Sequence, residues 1–72
     1  MTFGQNFKQI RKHINITQQE MADSVNISRS YLSDIENGNK NPSIKTVKKL
    51  ADRLGVSVNE LFNDSITFQE AN

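Results

Sequence analysis

Apolar residues recur along most of this chain at helical spacing, and each run ends in polar or turn-forming residues. Phe3, Phe7, Ile10 and Ile14 lie at i, i+4, i+7 and i+11, which is one face of an amphipathic helix. Between Gln18 and Asn37, Met21, Val25, Ile27, Leu32 and Ile35 point inward from two short helices, with small Ala22 where the pair can touch. Asn26 falls at the turn between them, a place for positive φ, which asparagine tolerates better than most residues. Ile44, Val47, Leu50, Ala51 and Leu54 form a further buried stripe that stops at Gly55, a suitable residue just past a helix end. The pattern predicts five helices, at about 3–14, 18–25, 28–36, 44–54 and 58–62, with no alternating strand pattern and no internal repeat. The expected fold is all-α: a compact five-helix bundle over residues 1–63, followed by a short tail, 64–72.

Capping chemistry supports these boundaries. Thr2 with Gln5, Thr17 with Glu20, and Ser57 with Glu60 fit the capping box, in which each side chain satisfies the other residue's backbone amide. Ser28 and Ser43 are natural N-caps of the third and fourth helices. Ile27 with Leu32, and Val56 with Leu61, have the spacing of hydrophobic staples. The segment Glu36–Ser43, ENGNKNPS, is dense in turn formers and joins the third helix to the fourth.

Composition narrows the classes. Seventy-two residues, 35% of them hydrophobic, make one domain whose core must be compact and mainly aliphatic. The absence of cysteine excludes disulfides and thiolate metal sites, and lone His13 reads as a solvated residue near the end of the first helix. No apolar run approaches a membrane span and the N-terminus carries no signal-peptide pattern, so a cytoplasmic, nucleoid-associated protein without membrane contact is expected. No glycine-rich phosphate loop and no credible Ser-His-acid set is present; no catalytic residue, metal or cofactor is expected.

Net charge is only +1, but its distribution is uneven. Residues 1–16 carry +3, 17–36 carry −3, 37–53 carry +4, and the remainder −3. Positive charge thus brackets the third helix on both sides, as a rim that grips phosphates would. Two short helices crossing at a sharp turn, the second opening with Ser28, Arg29, Ser30 and Tyr31, have the layout of a helix-turn-helix offering its second helix to a DNA major groove.

On that reading Ser28, Arg29, Ser30, Ser33 and Asp34 are the candidate base contacts. Arg29 suits a bidentate contact to guanine O6 and N7, with a phosphate contact or a surface pair with Glu20 or Asp34 as alternatives. The serines are sequence-tolerant, and capping alone accounts for Ser28. Asp34 either accepts from a cytosine amino group or repels the backbone. Gln18, at the start of the second helix, is a candidate phosphate contact, together with Tyr31, Asn37, Asn39 and Lys40 at the far rim. Tyr31 also suits half-buried packing, and solvation alone explains Lys45, Lys48 and Lys49. Arg11 falls among the apolar positions of the first helix and Glu36 ends the third; pairing the two would tie those helices together as a structural link.

The stretch IRKHINITQQEMADSVNISRSYLSDIENGNKNPSIKTVKKLADRLGVSVNELF resembles the Cro/CI-repressor type helix-turn-helix family, often called XRE-like, whose fold is that of the lambda repressor. The likeness covers about Phe7 to Phe62 and is carried by the combination of TQQEMA, YLSDIENG, NPS and LGVSVNELF. It implies phosphate contact by Gln18, base readers at Ser28, Arg29, Ser30 and Ser33 or Asp34, and a structural pair of Arg11 and Glu36. Asn26 stands where many relatives have glycine. Small stand-alone members are the nearer comparison: Cro-like and repressor proteins of phages, plasmid and mobile-element regulators, and restriction-modification controllers. The resemblance therefore implies a transcriptional regulator, foremost a repressor, binding double-stranded DNA at an inverted repeat as a homodimer. An antitoxin or antirepressor that uses the same bundle to hold a protein partner is the alternative. The tail leaves two readings open: a frayed end with Ile66 and Phe68 laid back on the domain, or a segment that helps form a dimer.

Overall fold

A computed structural model describes residues 2–62, and the expectations placed on the 64–72 tail lie outside the described residues. Five helices follow in order: α1 Phe3–His13, α2 Gln18–Ser24, α3 Arg29–Glu36, α4 Ile44–Leu54 and α5 Val58–Phe62. Among the described residues there is no strand.

The predicted caps close all five helix starts. Thr2 accepts from the Gln5 amide at 3.1 Å and Thr17 from the Glu20 amide at 3.0 Å, with both glutamine and glutamate side chains returning the bond. The Thr17 backbone amide, then its hydroxyl, hold the Glu20 carboxyl below its ordinary pKa, with Arg53 adding attraction. Ser57 and Glu60 exchange the same two bonds at the head of α5. Ser28 accepts from the Tyr31 amide and Ser43 from the Thr46 amide. Asn26 turns the chain at φ 61° and Gly55 ends α4 at φ 76°. Asn15 also has positive φ, at 62°, and breaks the chain between α1 and α2.

The core collects one stripe from each helix: Phe7 and Ile10 from α1, Met21 and Ala22 from α2, Leu32 from α3, Val47, Leu50, Ala51 and Leu54 from α4, and Leu61 from α5. Val25, just past α2, joins them, and Phe3, Ile16, Ile27, Val56 and Val58 pack around the margin. Two expected core residues lie outside. Ile14 is 39% exposed because α1 ends at His13 and the chain reverses at Asn15. Ile44 is 63% exposed: it opens α4, and side chains tilt toward a helix N-terminus, which carries it past the edge of the bundle.

Two close approaches set the angle between α1 and its neighbours. At Gly4 a Cβ would overlap the Ile35 carbonyl oxygen and lie 2.6 Å from that of Glu36, so α1 crosses the end of α3 backbone to backbone. Buried Asn6 donates through its side-chain amide to the Glu60 and Leu61 carbonyls at 3.0 and 2.9 Å, satisfying acceptors that α5 cannot pair internally.

The third tie is ionic. Arg11 and Glu36 are 6% and 3% exposed, and the guanidinium donates through Nε to Oε2 at 2.6 Å and through Nη2 to Oε1 at 3.1 Å. Nη1 donates to the Ile16 carbonyl at 2.6 Å. Two-point contact suits the planar fork of arginine, and lysine would not reproduce it. Among the described residues, no buried side-chain nitrogen or oxygen lacks a partner.

Two substitutions test this packing. Gly4→Ala should destabilise the fold by about 1–3 kcal/mol in urea unfolding, although alanine is the better helix former, because the added methyl meets α3 backbone. Arg11→Met should cost about 3–5 kcal/mol by leaving the Glu36 carboxylate buried without its cation, whereas Arg11→Met with Glu36→Leu should recover most of that loss. A double variant as unstable as the single would contradict the assignment of the cost to the orphaned charge.

Candidate nucleic-acid interface

Helix α3 is eight residues long and has two unlike sides. Leu32, Ile35 and Glu36 are buried. At about 100° per residue, Ser30, Ser33 and Asp34 fall on the opposite side, with Arg29 and Tyr31 on the two flanks. Ser28, Arg29 and Ser30 are exposed, and Tyr31, Ser33 and Asp34 are half-buried. The outward side is therefore wholly polar apart from the tyrosine ring. The turn that presents it is held by the Ile27 amide donating to the Ala22 carbonyl at 3.0 Å.

The Arg11–Glu36 pair does not end at Glu36. Gln18, the first residue of α2, donates through Nε2 to Glu36 Oε1 at 2.9 Å. Its other amide atom, Oε1, accepts from Arg29 Nη1 at 3.3 Å. Carboxylates only accept and guanidinium groups only donate, so one orientation of the amide fits both neighbours. A line of hydrogen bonds thus runs from α1, through the buried carboxylate and across α2, to the arginine at the head of α3. Gln18 was expected at a phosphate; its side chain also belongs to this relay. Proximity of the two residues is a tertiary fact, and the eleven-residue separation along the chain carries no sign of it.

The other end of α3 is tied differently. Asn37 caps the helix and donates through Nδ2 to Ser33 Oγ at 3.4 Å. Gly38, at φ 79°, turns the chain, and its amide donates to the Ile35 carbonyl. The Asp34 carbonyl then accepts from the Asn39 and Lys40 amides at 2.8 and 3.3 Å, which lays the loop beside the outward side of α3. Lys40 Nζ reaches Asp34 Oδ2 at 3.9 Å and stands 6.0 Å from the centroid of the Tyr31 ring. The expected sites are thereby grouped around α3: Ser28, Arg29, Ser30, Ser33 and Asp34 on the helix and its cap, Gln18 beside Arg29, and Tyr31, Asn37, Asn39 and Lys40 at the far rim. Lys45, Lys48 and Lys49 are exposed on α4.

Among the described residues, no set of histidine, aspartate and glutamate side chains is placed to hold a metal ion, and no helix is long and apolar enough to cross a membrane. The arrangement can offer hydrogen-bond donors and acceptors, with an arginine in fixed register, to a polyanion bearing a groove.

Comparison with known proteins agrees with this geometry. The helix-turn-helix family profile matches residues 7–61. The immunity repressor protein of Bacillus phage phi105 is 41% identical over 70 residues; these cover 97% of this chain but 49% of the phage protein, so the chain spans about half its relative's length. The restriction-modification controller protein C.AhdI of Aeromonas hydrophila superposes with a TM-score of 0.81 at 33% identity, covering 83% of this chain and 91% of that one. The master regulator for biofilm formation SinR, solved in complex with DNA, superposes with a TM-score of 0.79 at 39% identity, covering 83% of this chain and 97% of that one. The family is one of DNA-binding transcription regulators rather than enzymes. By sequence, by fold and by the placement of α2 and α3, the chain belongs to the Cro/CI-repressor type, or XRE-like, helix-turn-helix family.

Proposed function

We propose that this protein is a sequence-specific double-stranded-DNA-binding regulator of transcription, acting as a repressor. The carrying observation is the polar outward side of α3, exposed at its N-terminal half and headed by an arginine held in register by Gln18. A major groove admits one helix, and side chains on the first turns of that helix meet base edges. Ser28, Arg29, Ser30, Ser33 and Asp34 are assigned to bases, and Gln18, Tyr31, Asn37, Asn39 and Lys40 to the flanking phosphates. The likeness to the phage immunity repressor supports repression, and the likeness to SinR, a regulator solved on DNA, supports DNA binding.

A single eight-residue helix covers few base pairs, so specific binding calls for two copies. A homodimer with its two α3 helices about 34 Å apart would read an inverted repeat, one half-site per subunit. Steric block of transcription at such a site, in the cytoplasm where the genome lies, needs no cofactor and no catalytic step.

Selection of bound duplexes from a random pool, followed by titration of the winning site, tests the proposal. A consensus with twofold symmetry should emerge, and log affinity should fall linearly with log salt, by about 0.9 per phosphate neutralised. Arg29→Ala should erase the preference at one base position, worth roughly 1–3 kcal/mol, while leaving stability within about 0.5 kcal/mol. Leu32→Ala should instead lower stability by about 2–5 kcal/mol through a core cavity. No enriched consensus, or a flat salt response, would reject the regulator.

A further inference from the structure

The loop after α3 returns a cation to the side of the helix that carries a carboxylate. Asp34 lies one turn beyond Ser30 on the outward side, and an unscreened carboxylate there would oppose the approach of phosphates. Lys40 stands against it: its backbone amide is bonded to the Asp34 carbonyl, its ammonium is 3.9 Å from the carboxylate, and the ammonium lies over the Tyr31 ring, 6.0 Å from its centroid. Tyr31 and Asp34 are three residues apart on one helix, so ring and carboxylate are neighbours that both attract the cation. The side chains of Lys40 and Asp34 remain 61% and 35% exposed. An ion pair so open contributes little to folding. Its placement, on the outward side of α3, points to a role in contact with DNA.

Resting on the DNA-binding reading above, we propose that Asp34 and Lys40 act as one unit that reads a single C·G base pair in the major groove. A carboxylate can only accept, and the groove's donors are the amino groups of cytosine and adenine. Adenine sets the N7 lone pair beside its amino group, which opposes a second carboxylate oxygen; cytosine does not. The guanine of the same pair presents O6 and N7, acceptors that suit an ammonium. The two poles of the Asp34–Lys40 pair thus match the donor and acceptor edges of one base pair. This replaces the phosphate contact assigned to Lys40 above with a base contact and makes Lys40 a specificity residue.

The test repeats the random-duplex selection with Asp34→Asn, Lys40→Met and Lys40→Arg in the full chain, all at exposed or half-exposed positions where folding can be checked by melting. The wild type should enrich a C·G pair at one position of each half-site, preferred by roughly five- to a hundredfold. Asp34→Asn should move that position toward A·T, as asparagine pairs with adenine. Lys40→Met should weaken the C·G preference at least about fivefold with little change of salt slope, and Lys40→Arg should restore it. If Lys40→Met lowers the salt slope by about one and leaves every base preference intact, Lys40 is a phosphate contact and the inference is overturned. Unchanged preferences in Asp34→Asn overturn it as well. A wild type that enriches no consensus at all removes the DNA-binding reading itself, and this inference with it.

Discussion

The buried bond between Arg11 and Glu36 is the constraint on which the working surface depends. Withdrawing two charges from water is costly, and the cost is recovered only where every donor and acceptor finds a partner. Here Arg11 donates further through Nη1 to the Ile16 carbonyl, and Glu36 takes its further bond from Gln18. One carboxylate at the end of α3 thereby registers α1, the α1–α2 connection and the head of α2. An apolar contact of the same volume would hold these helices together without fixing their relative rotation. The directional bonds favour one rotation and, with the burial of Leu32 and Ile35, set the side of α3 that faces outward.

From that fixed frame the outward side of α3 is organised by its two ends. The N-terminal end is steered from within, through Gln18 to Arg29. The C-terminal end is steered from without, by the loop that lays Lys40 against Asp34 and Tyr31. Between them stand serines whose hydroxyls suit more than one base. An arginine at one end and a carboxylate paired with a lysine at the other give the helix a polarity that a run of neutral amides lacks. Family membership accounts for the scaffold, and under the proposed function these side chains are what distinguishes this chain's reading from a relative's.

Much of the scaffold was legible in the chain because its signals are local. Capping pairs three residues apart, the glycine after α4 and the asparagine between α2 and α3 act within a turn of the backbone, and all five helices begin within a residue of where those signals put them. Burial was legible only where a stripe continues on both sides. Ile14 and Ile44 continue their stripes but sit at helix ends, where the bundle no longer covers them. Periodicity names a face and says nothing of how far the face is roofed. The charged pair of α1 and α3 was suggested by an arginine in an apolar stripe. The bonds of Gln18 and Lys40 were not, since both side chains are polar at polar positions and their partners depend on how helices and loop meet in space.

Methylation interference on the selected site reports which groove α3 enters. Methyl groups on guanine N7 obstruct the major groove, and those on adenine N3 obstruct the minor groove. Guanine N7 methylation within each half-site should abolish binding, while adenine N3 methylation at the same base steps should be tolerated. Interference confined to adenine N3, or none on either edge, would mean that α3 does not enter the major groove.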